Sequence, residues 1–305
     1  MVYDVIIIGS GPAGVAAAIY GQRARLNTLV LEKQPMSGGQ ILNTYDVDNY
    51  PGLQGIGGFE LGQKFREHAD KLGASFEIAD VRKVTTENGV HQLQLPDKVL
   101  EAKTVIFAMG AQYRKLGVPG EQELCGMGVS YCATCDGAFF RNRTVAVIGG
   151  GDVALEDALF LARSCEKVYL IHRRDEFRGA KVLQERVMES PNIEILYDTV
   201  VEKIQGTDQV ESISLYNKKK DLHREQVVAG IFIAVGIVPN SDCARDFATL
   251  DDNGYIVAGE DGITSREGAF AAGDVRTKKL RQVITAAADG ANAITSVENY
   301  LYHHQ

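Results

Sequence analysis

The chain has 305 residues, of which 45% are hydrophobic and 24% are charged, a composition typical of soluble globular proteins. Its 32 Lys and Arg residues against 40 Asp and Glu residues give a net charge of −8, which argues against nucleic acid or an anionic membrane surface as a partner. No apolar run approaches the about 18 residues that a membrane span needs, and the N-terminus lacks the features of a signal peptide. We therefore expect a cytoplasmic protein.

The length predicts about two domains, and one pattern occurs twice along the chain. Residues 3–34 and residues 143–174 each read as an apolar strand, a glycine-rich turn, a helix and a second strand, at an offset of 140. At this offset Gly9 aligns with Gly149, Gly11 with Gly151, and Glu32 with His172. Each copy is a βαβ unit. Two such units predict an α/β fold with two Rossmann-like dinucleotide-binding domains.

The first glycine loop (residues 9–14) joins a predicted strand to a predicted helix and carries the pattern Gly-x-Gly-x-x-Gly. Its glycines permit a tight turn, close approach of a pyrophosphate, and packing of the helix on the strand. The helix N-terminus then offers free N–H groups to phosphates, and Glu32 can accept hydrogen bonds from a ribose diol. A glycine-rich turn without a ligand is the alternative. The predicted contacts are Gly9, Ser10, Gly11, Pro12, Ala13, Gly14, Glu32 and Lys33.

Cys132 and Cys135 are the close pair among five cysteines. Two sulfurs at this spacing can close a small, reducible disulfide, and the neighbouring Asp136 is either a general acid or base or a plain surface turn acid. Zinc is the main alternative but needs two more ligands, and only Cys125 lies near in sequence, so we expect no metal. The other three, Cys125, Cys165 and Cys243, are predicted to be buried and inert.

The second glycine loop (residues 149–154) repeats the pattern, but His172 and two arginines replace the ribose-binding acid. Guanidinium groups bind a 2′-phosphate, whereas an acid would repel it, so this copy predicts NADPH. The alternative is a solvated basic helix start in which His172 caps or packs. The predicted contacts are Gly149, Gly151, Asp152, Val153, Ala154, His172, Arg173, Arg174 and Arg178.

The rest of the chain carries further strand, hairpin and helix signals. Buried strands are predicted within residues 104–110, 230–236 and 268–274, and a helix over residues 283–302. The apolar stripe of this helix is Val283, Ala287, Ala291, Ile294, Val297 and Leu301. Alternating patterns predict hairpins within residues 74–103, around Asn88-Gly89, and within residues 193–228, around Gly206.

Taken in order, these motifs resemble the bacterial-type, low-molecular-weight thioredoxin reductases of the FAD/NADPH pyridine nucleotide-disulfide oxidoreductase family. The resemblance covers the whole chain, and the mid-chain Cys-Ala-Thr-Cys-Asp-Gly is its most specific motif. The further motifs that carry it are Gly38-Gly39-Gln40, Asn49-Tyr50-Pro51-Gly52, His172-Arg173-Arg174, Gly273-Asp274 and Arg281-Gln282.

The resemblance implies a homodimer in which a discontinuous FAD-binding domain, residues 1–114 and 242–305, holds an inserted NADPH-binding domain, residues 115–241. The latter carries the redox pair. The first glycine loop and Glu32 would bind the ADP half of FAD. The remaining implied FAD contacts are Gly38, Gly39, Gln40, Asn49, Gly273, Asp274, Arg281, Gln282 and Val283.

The implied reaction passes electrons from NADPH through FAD to Cys135 and Cys132 and then to oxidised thioredoxin, with Asp136 handling protons. Two alternatives stay open. One is a flavoprotein reductase of a peroxiredoxin- or glutaredoxin-like partner, and the other is a non-catalytic flavin-binding redox sensor. The identity of the thioredoxin-like partner is not readable from one chain.

Overall fold

The computed structural model describes residues 1–44, 47 and 49–304. The chain forms two compact units, one from Met1–Gln112 with Val238–Gln305 and the other from Tyr113–Ile237. The sequence predicted the two crossings after residues 114 and 241, whereas the structure makes them after Gln112 and Ile237. We call these the first unit and the second unit.

The first unit begins with alternating strands and helices, as the first βαβ pattern predicts. In chain order its elements are β1 (Val2–Ile8), α1 (Pro12–Arg23), β2 (Thr28–Glu32), α2 (Gly58–Lys71), β3 (Ser75–Ile78), β4 (Lys83–Glu87), β5 (Val90–Gln94), β6 (Val99–Phe107) and β7 (Ala111–Tyr113), which reaches the crossing. A 3-10 helix, Gly39–Asn43, lies between β2 and α2.

The second unit contains β8 (Val129–Ser130), α3 (Ala133–Asp136), β9 (Thr144–Gly149), α4 (Asp152–Ala162), β10 (Lys167–Ile171), α5 (Lys181–Glu189), β11 (Ile193–Leu196), β12 (Thr199–Gln205), β13 (Ser212–Asn217), β14 (Leu222–Val227), β15 (Gly230–Ala234) and β16 (Ile237–Pro239), which returns to the first unit. The chain then adds β17 (Ala269–Ala271) and α6 (Val283–His303) to the first unit. Two short 3-10 helices, Gly137–Phe140 and Gly273–Val275, follow α3 and β17.

The sheet of the first unit has the strand order β3-β2-β1-β6-β5-β4, with β17 also paired to β6. Strands β1, β2, β3, β6 and β17 run parallel, while β4 and β5 form the predicted hairpin, in which Asn88 and Gly89 both take positive φ. Alternate residues of β1 enter two separate cores: Ile6 packs on one face of the sheet and Ile7 on the other. Both faces of the sheet are therefore covered by protein, which explains why β1 is apolar along its length.

Helix α6 packs against α1 with almost no space between their backbones. A Cβ atom at Gly290 would lie 2.1 Å from the carbonyl oxygen of Ala13. The predicted stripe of α6 is partly wrong, because Ala287 and Ala291 are only half-buried. The buried face instead includes Ala286, Asp289, Gly290, Ala293, Ile294 and Val297. The buried face is the one that lies against α1, and the pattern of apolar residues alone does not predict this contact.

The second unit has a parallel sheet in the order β11-β10-β9-β15-β8 and a separate antiparallel sheet in the order β12-β13-β14. The predicted hairpin around Gly206 is present between β12 and β13. Residues Ile193–Leu196, however, do not belong to it, because β11 pairs in parallel with β10 after the α5 crossover. The mixed α/β fold with parallel sheets is confirmed. Across the described residues, no helix is both long and apolar enough to cross a membrane.

Candidate functional site

The first glycine loop is tightly packed against the end of β6. A Cβ atom at Gly9 would lie 2.5 Å from the carbonyl oxygen of Ala108, and one at Gly14 would lie 1.9 Å from that of Gly9. Both positions therefore require glycine, as the pattern predicts. Pro12 begins α1, where its missing N–H group has no helical partner to lose.

Glu32 contacts the first glycine loop directly. Its Oε2 accepts hydrogen bonds from the backbone N–H of Ser10 at 2.8 Å and from the Ser10 hydroxyl at 2.7 Å, while Oε1 accepts from the N–H of Gln34 at 2.9 Å. The neighbouring Lys33 forms an ion pair with Asp80 at 3.2 Å. The carboxylate is thus oriented beside the loop, although its predicted contact with a ribose stays a prediction.

Residues 38–40 lie beside the same loop. The N–H of Gly38 donates to the Ser10 carbonyl at 2.9 Å, and a Cβ atom at Gly39 would lie 3.4 Å from the Gly11 Cα. Gln40 donates from Nε2 to the carbonyl of Ala111. The structure therefore brings together two glycine motifs that are separated in sequence. The backbone of residues 38–40 lies against the backbone of the first glycine loop.

Asn49 is linked to the start of α6, since its Nδ2 donates to Gln282 Oε1 at 2.8 Å. Gln282 caps this helix in a capping box with Thr285, and Val283 is the first helical residue. The predicted FAD contacts at Asn49, Gln282 and Val283 are thus neighbours in space, although Asn49 and Gln282 lie 233 residues apart in sequence.

Asp274 and Arg281 hold buried polar atoms without a partner. Within the described part of the chain, neither Asp274 Oδ1 nor Arg281 Nε makes a hydrogen bond. Burial raises the pKa of the Asp274 carboxyl, and the cations Lys278 and Arg281 oppose that effect. Orphaned buried polar atoms are rare in proteins because they lose their hydration. This donor and acceptor suit a polar ligand that carries hydroxyl groups.

Asp289 holds the loop that carries Asp274 through hydrogen bonds. The role of Asp289 was not predicted from the sequence. Its carboxylate accepts from the Gly273 N–H at 2.9 Å, from Arg276 Nη2 at 2.7 Å and from Lys278 Nζ at 2.8 Å. Asp289 itself is 5% exposed. A carboxylate within the apolar face of a predicted helix is the signal that was available, because a buried charge needs partners.

The second glycine loop packs like the first and is open on its outer side. A Cβ atom at Gly149 would lie 2.5 Å from both the Ala234 carbonyl oxygen and the Ala154 Cβ, whereas one at Gly151 meets nothing within 4 Å. Since α4 begins at Asp152, its N-terminal N–H groups face this open side of the loop. The arrangement suits a phosphate group.

The segment that carries Arg178 is attached to the second glycine loop. The N–H of Arg178 donates to the Gly150 carbonyl at 2.8 Å, and the N–H of Ala180 donates to Asp152 Oδ1 at 2.7 Å. Asp152 is therefore occupied in holding this segment, while the Val153 side chain is exposed. The structure brings the predicted loop and the predicted arginine together.

His172 differs from Glu32, its counterpart in the first repeat. Its ring packs over Gly150, where a Cβ atom would lie 2.2 Å from the ring, and its buried Nε2 makes no hydrogen bond with the part of the chain that the structure describes. Burial lowers the pKa of His172, and Arg178 and Arg173 lower it further. The absence of a side chain at residue 150 thus makes space for a neutral imidazole, whereas Ser10 at the same place in the first loop binds a carboxylate.

Three arginine side chains near this loop, those of Arg173, Arg174 and Arg178, are exposed. Among the described residues none of them forms an ion pair with a carboxylate, although several other exposed Lys and Arg residues do. Their positive charge is therefore available to an anionic ligand. A 2′-phosphate is the ligand that the sequence predicts here.

Cys132 and Cys135 are joined in a disulfide with a Cα–Cα distance of 5.3 Å. Cys132 is the N-cap of the short helix α3, and Cys135 lies within it. The helix is held against α4, since a Cβ atom at Gly137 would lie 2.9 Å from Leu161 Cδ2. The pair is therefore a redox-capable disulfide on a supported turn.

Asp136, the residue after Cys135, is hydrogen-bonded to Ser130. Ser130 Oγ lies 2.6 Å from Asp136 Oδ2 and donates to it. Burial raises the pKa of Asp136, and the bond from Ser130 opposes this. Ser130 was missed by the sequence analysis. The available signal was a hydroxyl two positions before a Cys-x-x-Cys turn whose first N–H groups need acceptors.

The three remaining cysteines do not share one environment. Cys165 is buried, Cys243 is half-buried and Cys125 is exposed. Burial raises the pKa of Cys243 to about 12, which leaves that thiol unreactive. The prediction that all three are buried is right for Cys165, only partly right for Cys243 and wrong for Cys125, which lies in a surface turn whose composition does not reveal exposure.

The comparisons with known proteins agree with this geometry. Residues 3–290 match the model of the family described as pyridine nucleotide-disulphide oxidoreductase. This chain belongs to that family. The predicted family is therefore confirmed, and the chain is an oxidoreductase of the disulfide-reducing type.

Members of the pyridine nucleotide-disulphide oxidoreductase family similar to this chain are named thioredoxin reductase. The Bacillus subtilis (strain 168) protein is 42% identical over 301 residues, covering 98% of this chain and 95% of its own. The Peptoclostridium acidaminophilum protein is 44% identical over 307 residues, covering 98% and 97%. The crystal structure from Streptococcus pyogenes MGAS5005 has a TM-score of 0.95 at 42% identity, with 99% of each chain covered. The predicted resemblance to bacterial-type thioredoxin reductases is thus confirmed.

Proposed function

We propose that this protein is a thioredoxin reductase in which electrons pass from NADPH through FAD to the Cys132–Cys135 disulfide and then to oxidised thioredoxin. The observation that carries the proposal is the disulfide, which begins helix α3 in the same unit as the second glycine loop. Thiol–disulfide exchange needs two sulfurs that alternate between bonded and free states, and a pair within one turn suits it. Relatives that are 42% and 44% identical bear the same name.

The residues of the first unit fit FAD. The first glycine loop and the N-terminus of α1 would hold the pyrophosphate, and Glu32, which Ser10 already orients, would accept a hydrogen bond from the ribose. Asp274 Oδ1 and Arg281 Nε are the orphaned buried atoms that a hydroxyl-bearing chain would satisfy. When bound, FAD supplies two-electron transfer between a nicotinamide and a disulfide, which no side chain performs.

The residues of the second unit fit NADPH. The open side of the second glycine loop would receive the pyrophosphate at the N-terminus of α4. Arg173, Arg174 and Arg178 would bind the 2′-phosphate, because guanidinium groups form charge-assisted and often bidentate bonds with phosphate. Burial, aided by Arg178 and Arg173, lowers the pKa of His172, so its ring packs over the loop as a neutral imidazole rather than adding a charge.

The reduced cysteine pair acts on the partner protein. Cys132, as a thiolate, attacks the partner's disulfide to form a mixed disulfide, and one partner sulfur leaves as a thiolate. Cys135 then attacks the Cys132 sulfur, which restores the internal disulfide and releases the second partner sulfur. Asp136, next to Cys135, can take a proton from a thiol and return it to a leaving thiolate.

A panel assay tests the proposal. Purified protein loaded with FAD should oxidise NADPH in the presence of thioredoxin and should do so far more slowly with glutaredoxin- or peroxiredoxin-type disulfides. Cys132→Ser and Cys135→Ser should each abolish thioredoxin reduction while NADPH still bleaches the flavin. Turnover with another disulfide protein but not thioredoxin would identify a different partner class. Flavin reduction with no disulfide turnover would identify a sensor instead.

The resemblance also supports a homodimer that works in the cytoplasm. Light scattering after gel filtration should give twice the mass of one chain. A monomer that is fully active at the same concentration would contradict this part of the proposal.

A further inference from the structure

Ser130 connects the two parts of the redox site through one hydroxyl group. The residue lies at the end of β8, two positions before Cys132, and is 5% exposed. Its Oγ accepts a hydrogen bond from the Cys132 N–H at 3.1 Å and lies 2.6 Å from Asp136 Oδ2. A hydroxyl has one proton, so accepting from the amide and donating to the carboxylate together fix its orientation.

We propose that Ser130 is a positioning residue for proton transfer at the redox pair. It holds Oδ2 of Asp136 and leaves Oδ1 as the oxygen that exchanges a proton with the cysteine sulfurs. Because the same hydroxyl binds the backbone of Cys132, the carboxylate keeps its place relative to the turn that carries both sulfurs. The inference rests on the proposed function, since it concerns protons that only disulfide reduction requires.

The proton balance shows why such a group is needed. NADPH, one proton and the Cys132–Cys135 disulfide together yield NADP⁺ and two thiols, so one of the two thiol protons comes from solvent. In the exchange with the partner, Cys132 must lose its proton before it attacks, and a leaving partner sulfur must gain one. A carboxyl group whose pKa is raised toward neutral pH can do both.

The electrostatic surroundings of Asp136 indicate the direction of the effect. Burial raises the pKa of Asp136 and the bond from Ser130 lowers it, so removing the hydroxyl should raise this pKa further. Two other titratable groups lie on elements near Asp136. Burial raises the pKa of the Cys125 thiol, Glu121 and Asp136 raise it further, and Lys115 opposes them. Asp157, on the neighbouring helix α4, has its pKa raised to about 7 by burial and by Glu156.

Helix α4, which carries Asp157, packs against the end of α3. Gly137 is close to Phe160 and Leu161 of α4. Asp157 lies three and four residues before them, and residues at these spacings share one face of a helix. The test must therefore separate an effect through Asp136 from one through Asp157.

The experiment uses Ser130→Ala in the FAD-loaded protein, with Ser130→Thr as the matched control that keeps the hydroxyl and suits a strand. The rate of thioredoxin reduction is measured against pH. Loss of one hydrogen bond should move the profile of Ser130→Ala to higher pH by roughly half to one unit, whereas Ser130→Thr should follow the wild type. Bleaching of the flavin by NADPH should keep the same rate in all three proteins.

A second measurement does not depend on thioredoxin. After reduction with dithiothreitol, the rate of Cys132 alkylation by iodoacetamide is followed against pH, with modification located by mass spectrometry. The same upward shift is expected in Ser130→Ala, and it should disappear when Asp136→Asn is already present but persist with Asp157→Asn. If thioredoxin is not reduced at all, the proposed function fails while alkylation still decides the role of Ser130. Superimposable profiles of Ser130→Ala and wild type would overturn the inference.

Discussion

The buried carboxylate of Asp289 offers a test of what supports the loop that carries Asp274. In the first unit it contacts Arg276 and Lys278, whose side chains are 9% and 7% exposed, and it accepts from the Gly273 N–H. Asp289→Asn keeps the shape of the side chain but removes its charge. Two buried cations then lose the anion that pairs with them, and Asp274 remains as an acid that interacts electrostatically with both.

Breaking a buried ion pair by removing one partner destabilises a protein by about 3–5 kcal/mol. The first unit has 180 residues, 112 up to Gln112 and 68 from Val238. At about 2.1 cal/mol/K per residue its entropy of unfolding is about 0.38 kcal/mol/K. Asp289→Asn should therefore lower the melting temperature of this unit by about 8–13 °C.

Differential scanning calorimetry with excess FAD measures this shift at constant ligand saturation. Asp242→Asn is the matched control, because Asp242 also pairs with an arginine at 2.6 Å but its side chain is 91% exposed. Exposed pairs contribute little, so the control should melt within about 2 °C of the wild type. If Asp289→Asn melts as close to the wild type as the control does, the buried cluster does not support the loop and the reasoning is wrong.

Three further predictions follow from the described sites. Changing Arg173 and Arg174 together to Ala should raise the KM for NADPH by about 10- to 100-fold and leave that for NADH nearly unchanged, because only NADPH carries the 2′-phosphate; equal effects in steady-state kinetics would show that these arginines do not bind it. Asp274→Ala should weaken FAD binding by about 10- to 100-fold in a fluorescence titration, since a buried acceptor is lost, and an unchanged Kd would place the ligand elsewhere. In the native protein at pH 8, iodoacetamide should modify Cys125 well before Cys243, whose thiol has its pKa raised to about 12 by burial; peptide mapping that finds the two modified at equal rates would contradict the burial of Cys243.

Local patterns were sufficient to predict the two βαβ units and the redox pair. The strand, the glycine loop and the helix of each copy are neighbours in sequence, and the glycines at residues 9, 14 and 149 are required by contacts within or beside the loop. The Cys132–Cys135 disulfide closes over three residues, so its spacing alone indicated it. The hairpin at Asn88-Gly89 was equally local, since both residues take the positive φ that such a turn needs.

Features that depend on distant contacts were not predictable in the same way. The buried face of α6 follows the close approach of Gly290 to α1, and β11 belongs to a parallel sheet because α5 carries the chain back across it. His172 aligns with Glu32 in sequence, yet it packs over Gly150 rather than bonding to it. Residues that align between two sequence repeats occupy equivalent positions, but they do not necessarily make equivalent contacts.

The sequence by itself determined the fold class, the order of the two glycine loops and the residues able to carry redox chemistry, because these depend on backbone geometry and on residue type within a short segment. Only the tertiary structure decided the protonation environment of those residues. Asp289 acquires its cations through burial among elements that lie far apart along the chain, and burial leaves Asp274 Oδ1 and Arg281 Nε without a hydrogen bond with any described residue. Even Ser130 and Asp136, six residues apart, needed the end of β8 and the start of α3 to be fixed by packing before one hydroxyl could join them. Burial and hydrogen-bond partners set the pKa of a group, and both are properties of the packed chain rather than of its pattern.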